Sequence, residues 1–223
     1  MTLAIFDLDN TLLGGDSDYL WGRFLCERKL VDGAEFEAQN EQFYRDYQAG
    51  KLDIKAYLRF ALAPLKGRPM AELQAWHRDF MASRIAPIML PAARELIAGH
   101  RRRGHELLII TATNEFITRP IATALGVDEL LASEAEIVDG VYTGEPRGVP
   151  SYGEGKVARL HHWLDGRATT LDGAWFYSDS HNDLPLLEPV GLLPAKKVGI
   201  QECSGGCPDC VQHRRFTVKY ESE

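Results

Sequence analysis

Phe6-Asp7-Leu8-Asp9-Asn10-Thr11 is the stretch on which the reading of this chain turns. It follows a short apolar run, Leu3-Ala4-Ile5-Phe6, and leads into Leu12-Leu13-Gly14-Gly15. An apolar run of this length fits a central strand of a parallel sheet, which is buried on both faces. Two carboxylates then fall where the strand ends, and that is where an open α/β sheet places its ligand crevice. Past the strand end a turn can aim Asp7 and Asp9 at one point. Two carboxylates at one point invite a hard cation such as Mg2+, which takes oxygen ligands and sits beside phosphates. One carboxylate can then attack phosphorus while the other moves a proton. An acidic strand edge with Thr11 capping a helix accounts for these six residues equally well, so the rest of the chain must decide.

The 223 residues suffice for one large domain, or for one domain carrying an insert. Hydrophobic residues make up 45% and charged residues 26%, an ordinary balance for a globular protein. The net charge of −7 argues against nucleic-acid or anionic-membrane partners, both of which want a basic surface. Met1-Thr2 runs straight into the first strand, without a basic n-region or cleavage site, and every apolar run is too short to span a bilayer. A cytoplasmic protein is expected. Cys26 is isolated, whereas Cys203, Cys207 and Cys210 cluster near the end, a pattern that in the cytosol suggests metal rather than disulfides.

Outward from the first strand, Gly14-Gly15 breaks the unit and the character changes over residues 16–86. That segment holds most of the aromatic residues and no β-branched run of strand length. Leu73, Trp76, His77 and Phe80 recur at helical spacing, as do Tyr57, Phe60, Ala61 and Pro64. Breakers at Asp32-Gly33, Gly50 and Gly67-Arg68-Pro69 divide the segment into about four helices. Their aromatic spacing is read as bundle core. From Pro87 the pattern returns to strand and helix in alternation. Pro91 opens a helix that Gly104 ends, and a strand Glu106–Ile110 runs into Thr111-Ala112-Thr113-Asn114. A helix over 115–125 stops at Gly126, and a hairpin turns at Asp139-Gly140. Lys156 opens a further helix, and a strand over 174–177 ends at Ser178-Asp179-Ser180-His181-Asn182-Asp183. Such alternation predicts a doubly wound, Rossmann-like parallel sheet, residues 1–15 and 87–223, with a helical-bundle cap inserted over 16–86.

Three strand ends thus deliver polar residues of complementary kinds. They are two carboxylates, a hydroxyl at Thr111, and the carboxylates Asp179 and Asp183 with the amide Asn182 between them. Lys156 adds a cation where a helix dipole disfavours one. Together they make a phosphoryl-transfer kit, in which catalysis is mostly positioning and charge neutralisation.

In this order the four pieces resemble the haloacid dehalogenase superfamily of phosphohydrolases. Asp7-Leu8-Asp9-Asn10-Thr11 matches its first motif, Thr111 at a strand end resembles the second, Lys156 the third, and Asp179 to Asp183 the acidic fourth. The helical insert resembles the cap of the subgroup that holds phosphoserine phosphatases and some bacterial histidinol-phosphate phosphatases. The resemblance implies a magnesium-dependent phosphomonoesterase acting on a small phosphorylated metabolite. It implies that Asp7 becomes an aspartyl phosphate and that Asp9 protonates the leaving oxygen and then activates water. It further implies that Mg2+ is held by the Asp7 carboxylate, the Asp9 carbonyl and Asp179, with Asp183 behind them. Thr111, Lys156 and Asn182 would hold the phosphoryl group. Dehalogenases of the superfamily lack the second aspartate, so Asp9 points to a phosphatase.

In phosphoserine phosphatases a glutamate near the offset of Asp16 meets the substrate ammonium, and Asp16 or Asp18 could serve an amine here, in phosphoserine or histidinol phosphate. Asp16 is equally well read as a helix N-cap. His181 has no role in this scheme and is read as a rim residue. A receiver-type phospho-acceptor domain is the alternative from another class, disfavoured by the insert, Asp9 and Asn182-Asp183.

After Pro189 the pattern fails. Cys203, Cys207, Cys210 and His213 have the types and spacing of zinc ligands, and a plain tail with free thiols accounts for them too, as does a change of reading frame near residue 190. A missing edge strand would expose apolar surface and favour a homodimer.

Overall fold

The structure, a computed structural model, describes residues 2–180 together with Asp183 and Leu186. Its frame is a five-stranded sheet in the order β4-β3-β2-β1-β5. β1 (Leu3–Phe6) lies between β2 (Glu106–Asn114) and β5 (Trp175–Tyr177), parallel to both, and β3 (Glu129–Val138) continues the parallel set beyond β2. All four residues of β1 are buried, as a strand covered on both faces requires. Their alternation sorts them into two cores. Leu3 and Ile5 pack with Leu108, Ile110, Leu160 and Phe176, while Ala4 and Phe6 pack with Ile97, Ile109, Ile117 and Ile121. Helix α7 (Glu154–Leu164) supplies Leu160 to the first core. α5 (Pro91–Arg102) and α6 (Glu115–Leu125) supply Ile97, Ile117 and Ile121 to the second. Helices on both faces make the sheet doubly wound, as expected.

β3 returns as β4 (Val141–Arg147) through Asp139-Gly140, whose φ values of 51° and 77° are those of a two-residue hairpin turn. The sequence reading placed only this hairpin and missed the first half of β3, where Glu129, Leu130 and Leu131 pair in parallel with β2. β2 also runs on to Asn114 rather than ending at Ile110. Its register slips between Ile110 and Asn114, but pairing resumes at Asn114 and Ser133.

Between β1 and β2 lie α1 (Ser17–Glu27), α2 (Gly33–Gln48), α3 (Ile54–Leu62) and α4 (Met70–Phe80), in accord with the breakers read from the sequence. Trp21, Phe24 and Phe80 are buried, and their rings pack edge-on at 5.1 Å for Trp21–Phe80 and 5.6 Å for Phe24–Phe80. α1 and α2 approach closely at Gly22, where a Cβ would fall 2.6 Å from the Asn40 amide. The chain enters and leaves this helical segment along one seam. Gly14 N–H donates to Ile88 O at 2.8 Å, and Leu90 N–H donates to Leu12 O at 3.3 Å. Far from the seam the segment reaches the hairpin, where Gly67 N–H donates to Tyr142 O at 3.0 Å and Arg59 meets Glu145 at 2.9 Å. Among the described residues no helix is long and apolar enough to cross a membrane. The tail with Cys203, Cys207, Cys210 and His213, and the edge-strand argument for a homodimer, lie outside the described residues, as does Asn182.

Candidate active site

The loop after β1 folds tightly back on itself. Leu12 and Leu13 N–H groups donate to Leu8 O at 2.9 and 3.1 Å, and Asn10 N–H donates to Gly15 O at 3.0 Å. Asn10 itself takes φ 57°, a conformation its short polar side chain tolerates. The turn brings the Thr11 hydroxyl back to the strand end, 3.3 Å from Asp7 Oδ2 and 2.9 Å from Asp179 Oδ1. One hydroxyl therefore ties together the carboxylates that end β1 and β5. From the sequence Thr11 was either a helix cap or the last residue of the first motif, with no contact assigned; it cross-links the two strand ends.

Lys156 is buried at 3% exposure and joins two of the acids. Its Nζ lies 3.0 Å from Asp7 Oδ1 and 2.6 Å from Asp183 Oδ1. α7 begins at Glu154, so Lys156 sits in the first turn rather than at the first position, turned into the protein. Burial alone would lower its pKa, but Asp183 and Asp7 outweigh burial and raise it, so the ammonium stays charged. Both oxygens of Asp183 are engaged. Its Oδ2 accepts from Ser178 Oγ at 2.6 Å while Oδ1 is held by Lys156.

Asp9 is held separately. Ser17 N–H donates to Oδ1 at 2.6 Å, and Thr113 Oγ1 donates to Oδ2 at 2.8 Å. Burial raises this carboxyl to about 7, with the charge of Asp16 adding and the Ser17 and Thr113 hydrogen bonds opposing. Thr113 escaped the sequence reading. It stands two residues beyond Thr111, and the period of a strand could have placed both hydroxyls on one face. Thr111, 1% exposed, lines the same pocket.

The helical segment supplies the opposite wall, in which Tyr44, Tyr47 and Tyr57 face Asp7, Asp9, Thr111 and Lys156 across the pocket. The Tyr47 hydroxyl lies 3.4 Å from Ser180 Oγ and so bridges α2 to the loop after β5. Asp16 and Asp18 both line this pocket. Asp16 also caps α1, accepting from Tyr19 N–H at 2.8 Å, as its N-cap reading expects. Asp18 is buried beside the hydroxyls of Tyr57 and Thr113, yet its Oδ1 has no hydrogen-bond partner among the described residues. Burial raises Asp18 to about 7 and Asp16 to about 6.

The donor set suits a hard divalent cation. Asp7 and Asp179 present oxygens to one hydroxyl, and burial with the neighbouring acids raises the pKa of Asp7 against the pull of Lys156. One ammonium does not balance Asp7, Asp9, Asp179 and Asp183, and an oxygen-loving cation between Asp7 and Asp179 would. Among the described residues no group of three or more His, Cys, Asp or Glu side chains forms a metal cluster. The two carboxylates and a backbone carbonyl remain the available set.

Comparison with known proteins accords with the geometry. The family model described as haloacid dehalogenase-like hydrolase matches residues 4–188. The chain belongs to that family. Among haloacid dehalogenase-like relatives, a histidinol-phosphatase of Neisseria meningitidis is 48% identical over 214 residues, covering 92% of this chain and 96% of its own. Phosphoserine phosphatase SerB1 of Mycobacterium tuberculosis is 34% identical over 195 residues, covering 86% of this chain and 63% of its own. A Bordetella pertussis protein of unknown function superposes with a TM-score of 0.78 at 43% identity, over 84% of this chain and 87% of that one. A phospho-aspartyl intermediate analogue of phosphoserine phosphatase superposes with a TM-score of 0.61 at 22% identity, over 83% of this chain and 81% of that one, and so shares the fold.

Proposed function

We propose that this haloacid dehalogenase-like phosphatase hydrolyses a small amine-bearing phosphate monoester through a phosphorylated Asp7. One observation carries the reading: the buried Lys156 ammonium lies between Asp7 and Asp183 at 3.0 and 2.6 Å. A dianionic phosphate is repelled by a bare carboxylate, and a fixed cation beside that carboxylate removes the repulsion. An Asp7 oxygen then attacks phosphorus, the ester P–O bond breaks, and the leaving alkoxide takes the Asp9 proton. In the second half Asp9 recovers a proton from water, whose oxygen attacks the phosphoryl group and releases phosphate from Asp7. Asp9, raised to about 7, can serve in both directions near neutral pH. Thr111 would hold a phosphoryl oxygen from the β2 side, and Asn182 is proposed as a second contact.

Mg2+, when bound, would neutralise the phosphoryl oxygens. Asp7, Asp179 and the Asp9 carbonyl are the residues to hold it, with Asp183 fixing Lys156 behind them. The helical segment 16–86 acts as a cap, with its hinge at the seam of Leu12–Gly14 and Ile88–Leu90, and it shields the reaction from bulk water. Asp16 and Asp18 on the cap wall receive the amine. The aromatic wall, together with the name of the Neisseria relative, favours histidinol phosphate, with phosphoserine as the second substrate to try.

The test is phosphate release from histidinol phosphate, phosphoserine and an aryl phosphate, each with Mg2+ or EDTA, and with Asp7→Asn as control. Magnesium-dependent release that disappears in Asp7→Asn is expected. Release that survives the substitution would defeat the nucleophile assignment.

A further inference from the structure

The two oxygens of Asp9 are held by groups from different parts of the chain. Ser17 N–H, at the start of α1, meets Oδ1 at 2.6 Å, and the Thr113 hydroxyl, near the end of β2, meets Oδ2 at 2.8 Å. Thr113 is 5% exposed, and its own backbone N–H is turned toward Thr111 Oγ1 at 3.3 Å. Its side chain stands where the β2–β3 register slips, between the pairs at Ile110 and Asn114. The irregularity places a hydroxyl inside the crevice at the point where the acid sits. Thr113 also faces Asp18, the buried acid whose Oδ1 has no partner among the described residues. One hydroxyl on the sheet thus holds a carboxyl of the proposed reaction centre and stands near a carboxyl of the opposite wall.

The geometry points to Thr113 as the residue that positions Asp9 for proton transfer. The inference rests on the phosphatase reading, in which Asp9 protonates the leaving oxygen. A general acid contributes only when its proton lies within hydrogen-bond reach of the atom that receives it. A carboxyl on a strand-end loop, free to turn about its side-chain bonds, would leave that position. Ser17 alone fixes one oxygen, and Thr113 removes the remaining rotation. Thr113 touches neither the ester nor phosphorus in this scheme; it acts through Asp9.

Leaving-group dependence separates positioning from a merely structural role. An alkyl alkoxide needs a proton as it leaves, whereas p-nitrophenolate leaves without one. The experiment compares p-nitrophenyl phosphate with histidinol phosphate and phosphoserine, measuring the first release of alcohol in rapid-quench assays with Mg2+. Thr113→Val keeps the shape of the side chain and removes the hydroxyl, and Thr113→Ser keeps the hydroxyl. The ratio of aryl-ester to alkyl-ester rate is expected to rise about tenfold or more in Thr113→Val, within the range that general acid catalysis supplies. It is expected to return toward the parent ratio in Thr113→Ser. Equal losses on both kinds of ester, or a serine variant that behaves like the valine one, would overturn the assignment.

A crystal structure of Thr113→Val reads the same claim without turnover. The Asp9 carboxyl is expected to rotate so that Oδ2 leaves its place beside residue 113, and a carboxyl that keeps the parent orientation would overturn the inference. If the parent protein releases alcohol from no ester, the phosphatase reading fails by itself, and the crystal structure still decides whether Thr113 fixes Asp9.

Discussion

The two walls of the pocket are finished to different degrees. On the sheet side each acid has a fixed partner: Asp7 and Asp183 share Lys156, Asp183 also accepts from Ser178, and Asp179 accepts from Thr11. On the helical side Asp18 keeps a buried oxygen without a partner among the described residues, and the aromatic residues Tyr44, Tyr47 and Tyr57 leave space beside it. A buried polar group without a partner is costly. Its persistence at a ligand wall makes sense when the ligand completes it. In the proposed mechanism, the contrast means that the reaction centre is organised before substrate arrives, whereas the recognition wall is completed by substrate.

Substitutions on the two walls should therefore behave differently. The largest effect belongs to the sheet side. Lys156→Met leaves Asp7 and Asp183 buried and facing each other without their cation. Breaking a buried pair in this way costs about 3–5 kcal/mol of folding stability. Loss of the cation from the phosphoryl site should lower turnover by about 10²-fold or more. Urea unfolding and a turnover assay on the same preparation check both effects. A Lys156→Met protein of parental stability would mean that the acids are paired in some other way.

On the helical side the effect should be smaller and selective. Asp18→Asn should reduce the preference for histidinol phosphate over its desamino analogue by about 10–100-fold, the worth of a hydrogen bond to a charged group. Steady-state kinetics on the matched pair of esters measures it. An unchanged preference would move the amine to Asp16.

The smallest effect is on stability as pH changes. In the absence of divalent cations Asp9 and Asp18 sit at about 7 and Asp16 at about 6, well above an exposed aspartate. The folded protein then keeps protons that the unfolded chain gives up. Their contribution is therefore full in acid and is lost as pH rises through these values. His77 and His100 are lowered by burial and act in the opposite sense, but their contribution is complete once pH passes an ordinary histidine value, about 6.5. Between pH of about 6.5 and 8, in EDTA, Tm should fall by about 2–4 °C per kcal/mol lost. Mg2+ should offset the fall, and Asp18→Asn should flatten it. A Tm that rises over this interval would contradict the raised carboxyls.

The sequence made the sheet side far more legible than the helical side. Apolar runs ending in Asp7 and Asp179 announce strand ends, because a buried parallel strand has a composition unlike anything around it, whereas the run before Thr111 announces a strand that continues to Asn114. Lys156 stood out because a cation at a helix start lacks a reason. Thr11 and Thr113 stayed hidden, since threonine is ordinary both at caps and in strands and only tertiary contact gives the hydroxyls their partners. The first half of β3 was missed because Glu129-Leu130-Leu131-Ala132 is too short a run to announce a strand. In the helical segment, spacing identified the bundle core but could not say which of Tyr44, Tyr47 and Tyr57 face the crevice. Helix facing depends on how α1, α2 and α3 cross, and close approaches such as Gly22 against Asn40 set that crossing.

The most direct test of the account is to locate the phosphoryl group during turnover. The reaction with histidinol phosphate and Mg2+ would be quenched in acid within milliseconds, and the protein digested and mapped by mass spectrometry. The account predicts a transient phosphoryl group on the peptide that carries Asp7, absent in Asp7→Asn. Phosphate release with no adduct on Asp7, or an adduct on another residue, would contradict it.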